Sequence, residues 1–344
     1  VTDFFFRLTP DWVLRAVEAG GFRPTGHCSP LVCLENRVYD VRLEDGSHVV
    51  AKFYRPGRWG REAILEEHRF LADLGAAEIP VCAPLPFADG ETLHEVEGIH
   101  YAVWRRTGGR APDEFRDEEI EVLGRLLARI HNVGAAGSAP QRPRLDSQSG
   151  ALAPLRLLEE RGFLPRECAR RYRAAVEQVA SLYDAWSEGV PLHRIHGDCH
   201  VGNLLQGSAG WFFLDFDDFV AGPAVHDVWM LIPGRDAEAR RQRELLISAY
   251  RSFRDFEPRW LRLVEPLRAF RFVAYPAWIA RRWEDPAFPA AFPHFGSAQY
   301  WESETRDLEE QVLRLLRDEE APEALRRPAE PEPELSNEDL FWDL

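Results

Sequence analysis

The sequence predicts an α+β fold of two lobes, a small one on an antiparallel sheet and a larger, mainly helical one. Three observations carry this expectation. Two runs that alternate with period two, residues 38–43 and 49–54, flank the turn segment Glu44-Asp45-Gly46-Ser47, and Asp-Gly between such runs marks a hairpin. The second half carries apolar residues at helical spacing, most cleanly in Ile120, Leu123, Leu126, Leu127 and Ile130. Between them lies a polar loop bounded by short apolar runs, Ile195-His196-Gly197-Asp198-Cys199-His200-Val201-Gly202-Asn203, followed by Phe212-Phe213-Leu214-Asp215-Phe216-Asp217-Asp218.

Taken in order, Thr9-Pro10-Asp11 starts a helix: Thr as N-cap, Pro at the first helical position and Asp near the positive end of the dipole. Trp12, Val13, Ala16 and Val17 give it an apolar stripe, and Gly20-Gly21 stops it. A short apolar strand is expected at 31–33, then the hairpin. Its second strand bears Lys52, with Val50 on the same face by alternation. A helix is expected over 61–74, with Phe70, Leu71 and Leu74 on its buried side. Pro80, Pro84 and Pro86 break the chain before an apolar strand at 101–104, and residues 105–109 leave it as a hinge between lobes. The stripe from Ile120 ends at His131. A polar connection through Pro140, Pro143 and Gly150 follows, and then helices near 154–162, 166–187, 236–253 and 258–283. Pro276 predicts a kink or boundary in the last. The expected organisation is a first lobe over 1–104, a second over 105–320, and an acidic Pro- and Glu-rich tail over 321–344 that reads as disordered. Its end, Asp339-Leu340-Phe341-Trp342-Asp343-Leu344, is apolar enough to dock on the large lobe, and Ser336 is the tail's only hydroxyl.

Composition narrows the function. The chain has 344 residues, 45% of them hydrophobic, which suffices for a large two-lobed core. No apolar run approaches the roughly 20 residues of a membrane span, so no membrane partner is expected. Five cysteines, odd in number and unclustered, argue against a disulfide framework or a zinc site and for the cytoplasm. The formal charge of −15 argues against nucleic acid and is compatible with a cationic small substrate. No coiled-coil or symmetric signature is evident, and a monomer is expected.

The polar loop carries chemistry. An Asp, an Asn five residues later and an Asp closing the next apolar run is the spacing of a phosphoryl-transfer site. Asp198 would orient a hydroxyl, while Asn203 and Asp215 would hold Mg²⁺ on ATP, their hard oxygens suiting that ion. Lys52, late on the strand after a hairpin, would meet the α- and β-phosphates, and Val50 would roof the adenine. Adenine itself would bond to backbone groups of the strand end and hinge, at Val103 and beyond. Glu67 is expected to pair with Lys52, with Glu66 as the alternative.

These motifs resemble the aminoglycoside/choline kinase-like superfamily, in which His-Gly-Asp-x4-Asn replaces the His-Arg-Asp loop of ordinary protein kinases. Within it, the likeness is to bacterial serine/threonine protein kinases of stress-response type. It rests on Leu34-Glu35-Asn36-Arg37-Val38-Tyr39, Lys52-Phe53-Tyr54-Arg55-Pro56, Ile64-Leu65-Glu66-Glu67-His68, Gly108-Gly109-Arg110, the polar loop and Gly222-Pro223-Ala224-Val225-His226-Asp227-Val228-Trp229-Met230-Leu231. It continues through Glu265-Pro266-Leu267-Arg268-Ala269 and Arg282-Trp283-Glu284-Asp285-Pro286-Ala287-Phe288-Pro289, spanning most of 9–301.

The resemblance implies a two-lobed protein kinase-like fold and ATP-dependent transfer to a protein seryl or threonyl hydroxyl. Asp198 and Asp215 would be the catalytic pair. Asp227 would be a buried acid buttressing the loop, although a helix-start carboxylate fits its position equally, and His196 would hold the loop backbone. Two departures stand out. No Gly-rich loop covers the phosphates; the equivalent turn is Cys33-Leu34-Glu35-Asn36-Arg37, where Asn36, Arg37 or adjacent N–H groups would reach them, and Cys33 stands where the family implies Ser. The interval from Asp215 to Gly222-Pro223 is too short for a phosphorylated activation loop. A small-molecule kinase of the same fold, acting on an aminoglycoside, choline or homoserine-like acceptor, is the alternative. Against it, Arg268, Arg271, Arg281 and Arg282 would make part of the large lobe basic.

Overall fold

The structure, a computed structural model, describes residues 5–6, 8–208 and 210–320. The expectations placed on 321–344, including the docking end and Ser336, lie outside the described residues. Helix α1 (Pro10–Ala19) buries Val13, Ala16 and Val17 and ends at Gly20. It is followed by strands β1 (Pro24–Leu31), β2 (Arg37–Leu43) and β3 (His48–Phe53). Helix α2 (Arg61–Ala76) and strands β4 (His94–Val96) and β5 (Ile99–Arg105) complete the first lobe. The sheet is antiparallel throughout, in the order β1-β2-β3-β5-β4.

Alternation along β3 divides its side chains. Val49, Ala51 and Phe53 enter a core with Val13, Val17, Tyr101 and Val103 on the α1 side. Val50 and Lys52 point to the opposite face, where Val50 packs near Ala102, Trp104, Tyr54 and Ile64. Strand β1 begins seven residues before the apolar strand expected at 31–33 and ends at that strand's first residue, Leu31. It is a largely exposed edge strand with a register shift between Pro24 and Cys28, held by backbone pairing to β2, so it leaves no apolar alternation to read.

The second lobe comprises α3 (Asp117–Ala135), a π turn at Gln148–Leu152, α4 (Ala153–Glu160) and α5 (Arg166–Trp186). It continues through β6 (Leu192–Ile195), a 3₁₀ turn at Val201–Asn203, and the β7 (Leu204–Gly207)–β8 (Gly210–Phe213) hairpin. After a 3₁₀ turn at Phe216–Asp218, β9 (Val220–Pro223) pairs with β6. Helices α6 (Val225–Leu231), α7 (Ala237–Tyr250), α8 (Val264–Arg281), α9 (Ala287–Ala291) and α10 (Ala298–Glu320) finish the described chain. The long helix expected over 258–283 splits into a 3₁₀ turn at Pro258–Leu263 and α8, and α8 runs on through Pro276. One continuous core links α3, α4, α5, α6, α7 and α8 with residues of the two polar-loop strands and with Phe70, Leu71 and Leu74 of α2. No described helix is long and apolar enough to cross a membrane.

Candidate active site

The loop after β6 is built by its neighbours. Gly197 has φ +81°, and a Cβ there would run into the carbonyl oxygen of Asp218, so only glycine fits where the two loops cross. Asp227, fully buried in the first turn of α6, takes the backbone N–H of His196 at 2.8 Å and that of Gly197 at 2.9 Å. Its Oδ2 also accepts from His131 Nε2 at 3.0 Å, and the other ring nitrogen of His131 meets Tyr250 Oη at 2.8 Å. Both readings of Asp227 are therefore correct at once: it starts a helix and buttresses the loop. Burial opposes its charge, yet the His131 hydrogen bond and the nearby imidazoles hold its carboxyl below the usual range.

His196 closes the loop on the other side. Its Nε2 donates to the carbonyl of Leu214 at 2.7 Å and its Nδ1 accepts the N–H of Asp198 at 3.3 Å, which together set the tautomer. The Asp198 carboxylate then stands at the mouth of the cleft, with Arg271 Nη1 of α8 at 2.8 Å from Oδ1 and His200 Nε2 at 3.4 Å from Oδ2. Burial would raise its carboxyl, but Arg271 and His200 hold it well below the usual carboxylate range. Asn203 Nδ2 donates to the Asp198 carbonyl at 2.9 Å, which turns Asn203 Oδ1 the other way as an acceptor.

Asp215 follows β8 in a left-handed backbone conformation, φ +52°, uncommon for a non-glycine and concentrated at functional sites. Its side chain is 51% exposed and meets Lys52 Nζ at 3.0 Å across the lobes. Lys52 is itself buried and lies 3.3 Å from Asp217 Oδ1. Burial would depress the ammonium, but Asp215, Asp217 and Glu67 raise its proton affinity, so it stays charged.

Four expected contacts are placed differently. Glu67 is buried near Lys52 and its charge is felt there, but Lys52 pairs with Asp215 and Asp217 instead. Glu67 Oε2 has no hydrogen-bond partner, and burial pushes its carboxyl up to about 8. Glu66 turns away to accept the N–H of Gln141. Asn36 is buried and spends both ends of its amide in the fold, donating to Asp217 Oδ2 at 3.0 Å and accepting the N–H of Arg55 at 3.1 Å. Arg37 leans to Asp285 at 3.6 Å and over the Phe5 ring, away from the cleft. Val103 is fully buried on the α1 side, and its carbonyl accepts from Leu85 N–H at 2.7 Å. Cys33 lies in the turn as expected, its Sγ accepting the Asn36 N–H at 3.3 Å.

Three of the four late-helix arginines are drawn into specific contacts, while Arg281 is exposed. Arg268 donates to the Pro233 carbonyl at 2.6 Å, Arg271 holds Asp198, and Arg282 lies 2.6 Å from Glu35 Oε2.

Sequence reasoning missed a second group of residues. Asp217, two residues beyond Asp215, is buried and binds Arg58, Lys52 and Asn36 from the first lobe. Arg58 bridges Asp217 and Asp218 and lies 3.5 Å from Glu35. Arg142, from the polar connection, holds the carbonyls of Phe216, Asp217 and Phe219 and lies 4.2 Å over the Trp59 and Phe219 rings. Glu35 also accepts from Trp278 Nε1 of α8 at 2.7 Å, tying the phosphate-side turn to the large lobe. The run Asp215-Phe216-Asp217-Asp218 was a visible signal, but nothing local says which of its carboxylates faces which basic group. A hollow of about 540 Å³ lies between the linker at Thr107–Arg110 and the β7–β8 hairpin.

A lysine-bearing sheet strand facing Asp198, Asn203 and Asp215 across a cleft defines a phosphotransferase. Residues 33–264 match the phosphotransferase enzyme family, and the chain belongs to that family. It is similar to stress response kinase A of Escherichia coli (strain K12), 40% identical over 309 residues that cover 90% of this chain and 94% of that one. It is also similar to serine/threonine protein kinase RdoA of Salmonella typhimurium (strain LT2), 38% identical with the same shares covered. Among solved structures it resembles amicoumacin kinase hAmiN in complex with AMP-PNP, Ca²⁺ and Ami, with a TM-score of 0.68 and 18% identity over 91% of this chain and 94% of that one. A microcompartment-associated aminopropanol kinase gives 0.65 and 19% over 88% and 99%. Both structural likenesses establish the two-lobed kinase fold.

Proposed function

We propose that this phosphotransferase is an ATP-dependent serine/threonine protein kinase of stress-response type, working with Mg²⁺ in the cytoplasm. The observation that carries the reading is the meeting of Lys52 with Asp215 at 3.0 Å, opposite an Asp198 carboxylate kept ionised at the mouth. The 38–40% identity to a stress response kinase and a serine/threonine protein kinase over nine-tenths of the chain supports the acceptor class. The hinge at 105–109 and the adjoining hollow are the seat we assign to the adenine.

The donor set fits a divalent ion. Asp215 is half exposed, and the Asn203 amide oxygen is left facing outward by the bond its nitrogen makes to Asp198. Both are hard oxygen ligands of the kind Mg²⁺ takes beside phosphate. When bound, the ion neutralises charge on the transferring phosphates. Lys52 holds the α- and β-phosphates as a charge that Asp217 keeps in place. Asp198 accepts a hydrogen bond from the incoming hydroxyl, aims it in line with the γ-phosphorus and takes its proton as the new P–O bond forms and the bond from that phosphorus to the bridging oxygen breaks, ADP leaving with the electron pair. His196 and Asp227 keep the loop backbone fixed during this step, so positioning and electrostatics supply most of the rate.

We assign residues 1–104 to nucleotide binding and 105–320 to catalysis and the acceptor. A small-molecule kinase is the second reading, favoured by the amicoumacin and aminopropanol kinases that share the fold. The test is transfer of label from γ-labelled ATP to Ser/Thr protein substrates and to a panel of aminoglycosides, choline and homoserine, with Asp198→Asn as control. Label on protein that disappears in the control is the expected result. Label confined to a small amine overturns the protein-kinase reading.

A further inference from the structure

The charge of −15 invites the idea that the cleft is an acidic groove for cationic acceptors. The side chains at the mouth argue otherwise. Each carboxylate described there already faces a basic group: Asp198 faces Arg271, Asp215 faces Lys52 and Asp218 faces Arg58. Arg271 stands out because it sits on the catalytic carboxylate itself. It comes from α8, outside both loops that carry the transfer chemistry, and its side chain is 30% exposed.

We propose that Arg271 is the acceptor-selecting residue of this site: its guanidinium keeps ammonium-bearing acceptors away from Asp198 and leaves that place to the neutral hydroxyl of a seryl or threonyl chain. This deepens the protein-kinase reading and rests on it. The argument is one of distances. A hydroxyl must come within about 2.6–3.2 Å of the Asp198 carboxylate to be activated. In an amino alcohol the ammonium nitrogen lies only three or four bonds from that hydroxyl oxygen. Bound productively, it would stand within a few ångströms of a guanidinium that is itself 2.8 Å from the same carboxylate. Two like charges so close, in a site with no unmatched carboxylate described at its mouth, weaken binding on the order of 10- to 100-fold. Repulsion of the wrong acceptor is a specificity device in its own right. A seryl or threonyl hydroxyl in a peptide carries no such charge. It can approach Asp198 Oδ2, whose contacts with His200 Nε2 and Asn203 Nδ2 are longer, both 3.4 Å, while the guanidinium holds Oδ1 and fixes the carboxylate plane.

The test grades the charge at one position: Arg271 (+1), R271K (+1), R271Q (0) and R271E (−1). The first readout is direct calorimetric binding of 1-amino-2-propanol and of spectinomycin to each protein, without nucleotide or metal. The second is steady-state kinetics on a Ser/Thr protein acceptor, with thermal melting to check folding. Affinity for both amines should rise from R271K and wild type through R271Q to R271E, by at least 10-fold across the series. R271Q should lower kcat for the protein acceptor about 10-fold with KM for ATP unchanged, and R271K should restore most of it. Equal amine affinity across folded variants, or an R271K as permissive as R271Q, would overturn the proposal while leaving the protein-kinase reading intact. If wild type labels amines and not protein, the reading itself fails, and that arm is scored before any variant is made.

Discussion

The cleft is lined by two regions that solve the same problem, holding an acidic side chain in place, by different means. On the large-lobe side the Asp198 loop is fixed by directed hydrogen bonds: Asp227 to two backbone N–H groups, His196 to a carbonyl and an N–H, His131 to Asp227 and Tyr250. All of these partners belong to one lobe. On the other side, Asp217 is fixed across the lobes, with Arg58, Lys52 and Asn36 of the first lobe converging on its carboxylate and Arg142 of the second on the backbone beneath it. The first arrangement depends on the shape of one loop. The second depends on how the lobes sit together, so it couples lobe position to the nucleotide lysine.

The largest effect tests the loop. Asp198→Asn removes the charge that aims the hydroxyl and should lower kcat by about 10²- to 10⁴-fold while nucleotide affinity stays within a few-fold. Asp215→Ala should in addition weaken Mg²⁺-dependent nucleotide binding, read by calorimetry with and without the ion. An Asp198→Asn enzyme with wild-type turnover would remove this loop from the catalytic account.

Next comes the cross-lobe carboxylate. Asp217→Asn leaves Arg58 and Lys52 short of one buried partner and should destabilise the protein by about 3 kcal/mol in urea unfolding, as breaking buried pairs does. The loss should not add to that of Arg58→Met, because the two share one interaction. Additive losses would mean that the lobes are held elsewhere. Gly197→Ala is a smaller, purely steric probe of the loop. The positive φ and the Asp218 carbonyl in its way predict a loss of about 2 kcal/mol together with reduced kcat.

What could be read in the sequence follows the same division. Asp198, Asn203, Asp215 and Lys52 were legible because their spacings lie within single loop or strand segments, and β2, β3 and α2 because their apolar periods are clean. Edge strand β1 was not, since backbone pairing alone defines it. Nor was α10, whose run from Ala298 carries more charge than apolar signal. Arg58 meets Asp217 across 159 residues of chain, Arg142 meets Phe216 across 74 and Arg271 meets Asp198 across 73, and no local pattern announces such contacts. Glu67 shows the limit from the other direction. Helical spacing placed it on the buried face of α2, but its partner there depends on which carboxylates the other lobe offers to Lys52.

That misplacement yields the smallest prediction and the sharpest test of how the two regions differ. Glu67 is buried with an oxygen that accepts no hydrogen bond, and its carboxyl is pushed up to about 8 by that burial, against the attraction of Lys52. In the unfolded chain a glutamate titrates near 4.3. Between these values the folded protein holds a proton that the unfolded chain has released. The linkage therefore favours the folded state fully below about pH 4.3, and the advantage is lost as pH rises towards 8. Asp227 runs the other way: its folded carboxyl is lowered, so its contribution is present above the unfolded value and lost only in acid. Glu67→Gln should then flatten the decline in stability between about pH 5 and pH 8, leaving the variant on the order of 1–2 kcal/mol more stable than wild type at pH 8. Asp227→Asn should be destabilised throughout that range. Parallel pH curves for Glu67→Gln and wild type, measured without nucleotide, would show that Glu67 is ionised against Lys52 after all, and Lys52 would then have carboxylate partners in both lobes, Glu67 in the first and Asp215 and Asp217 in the second.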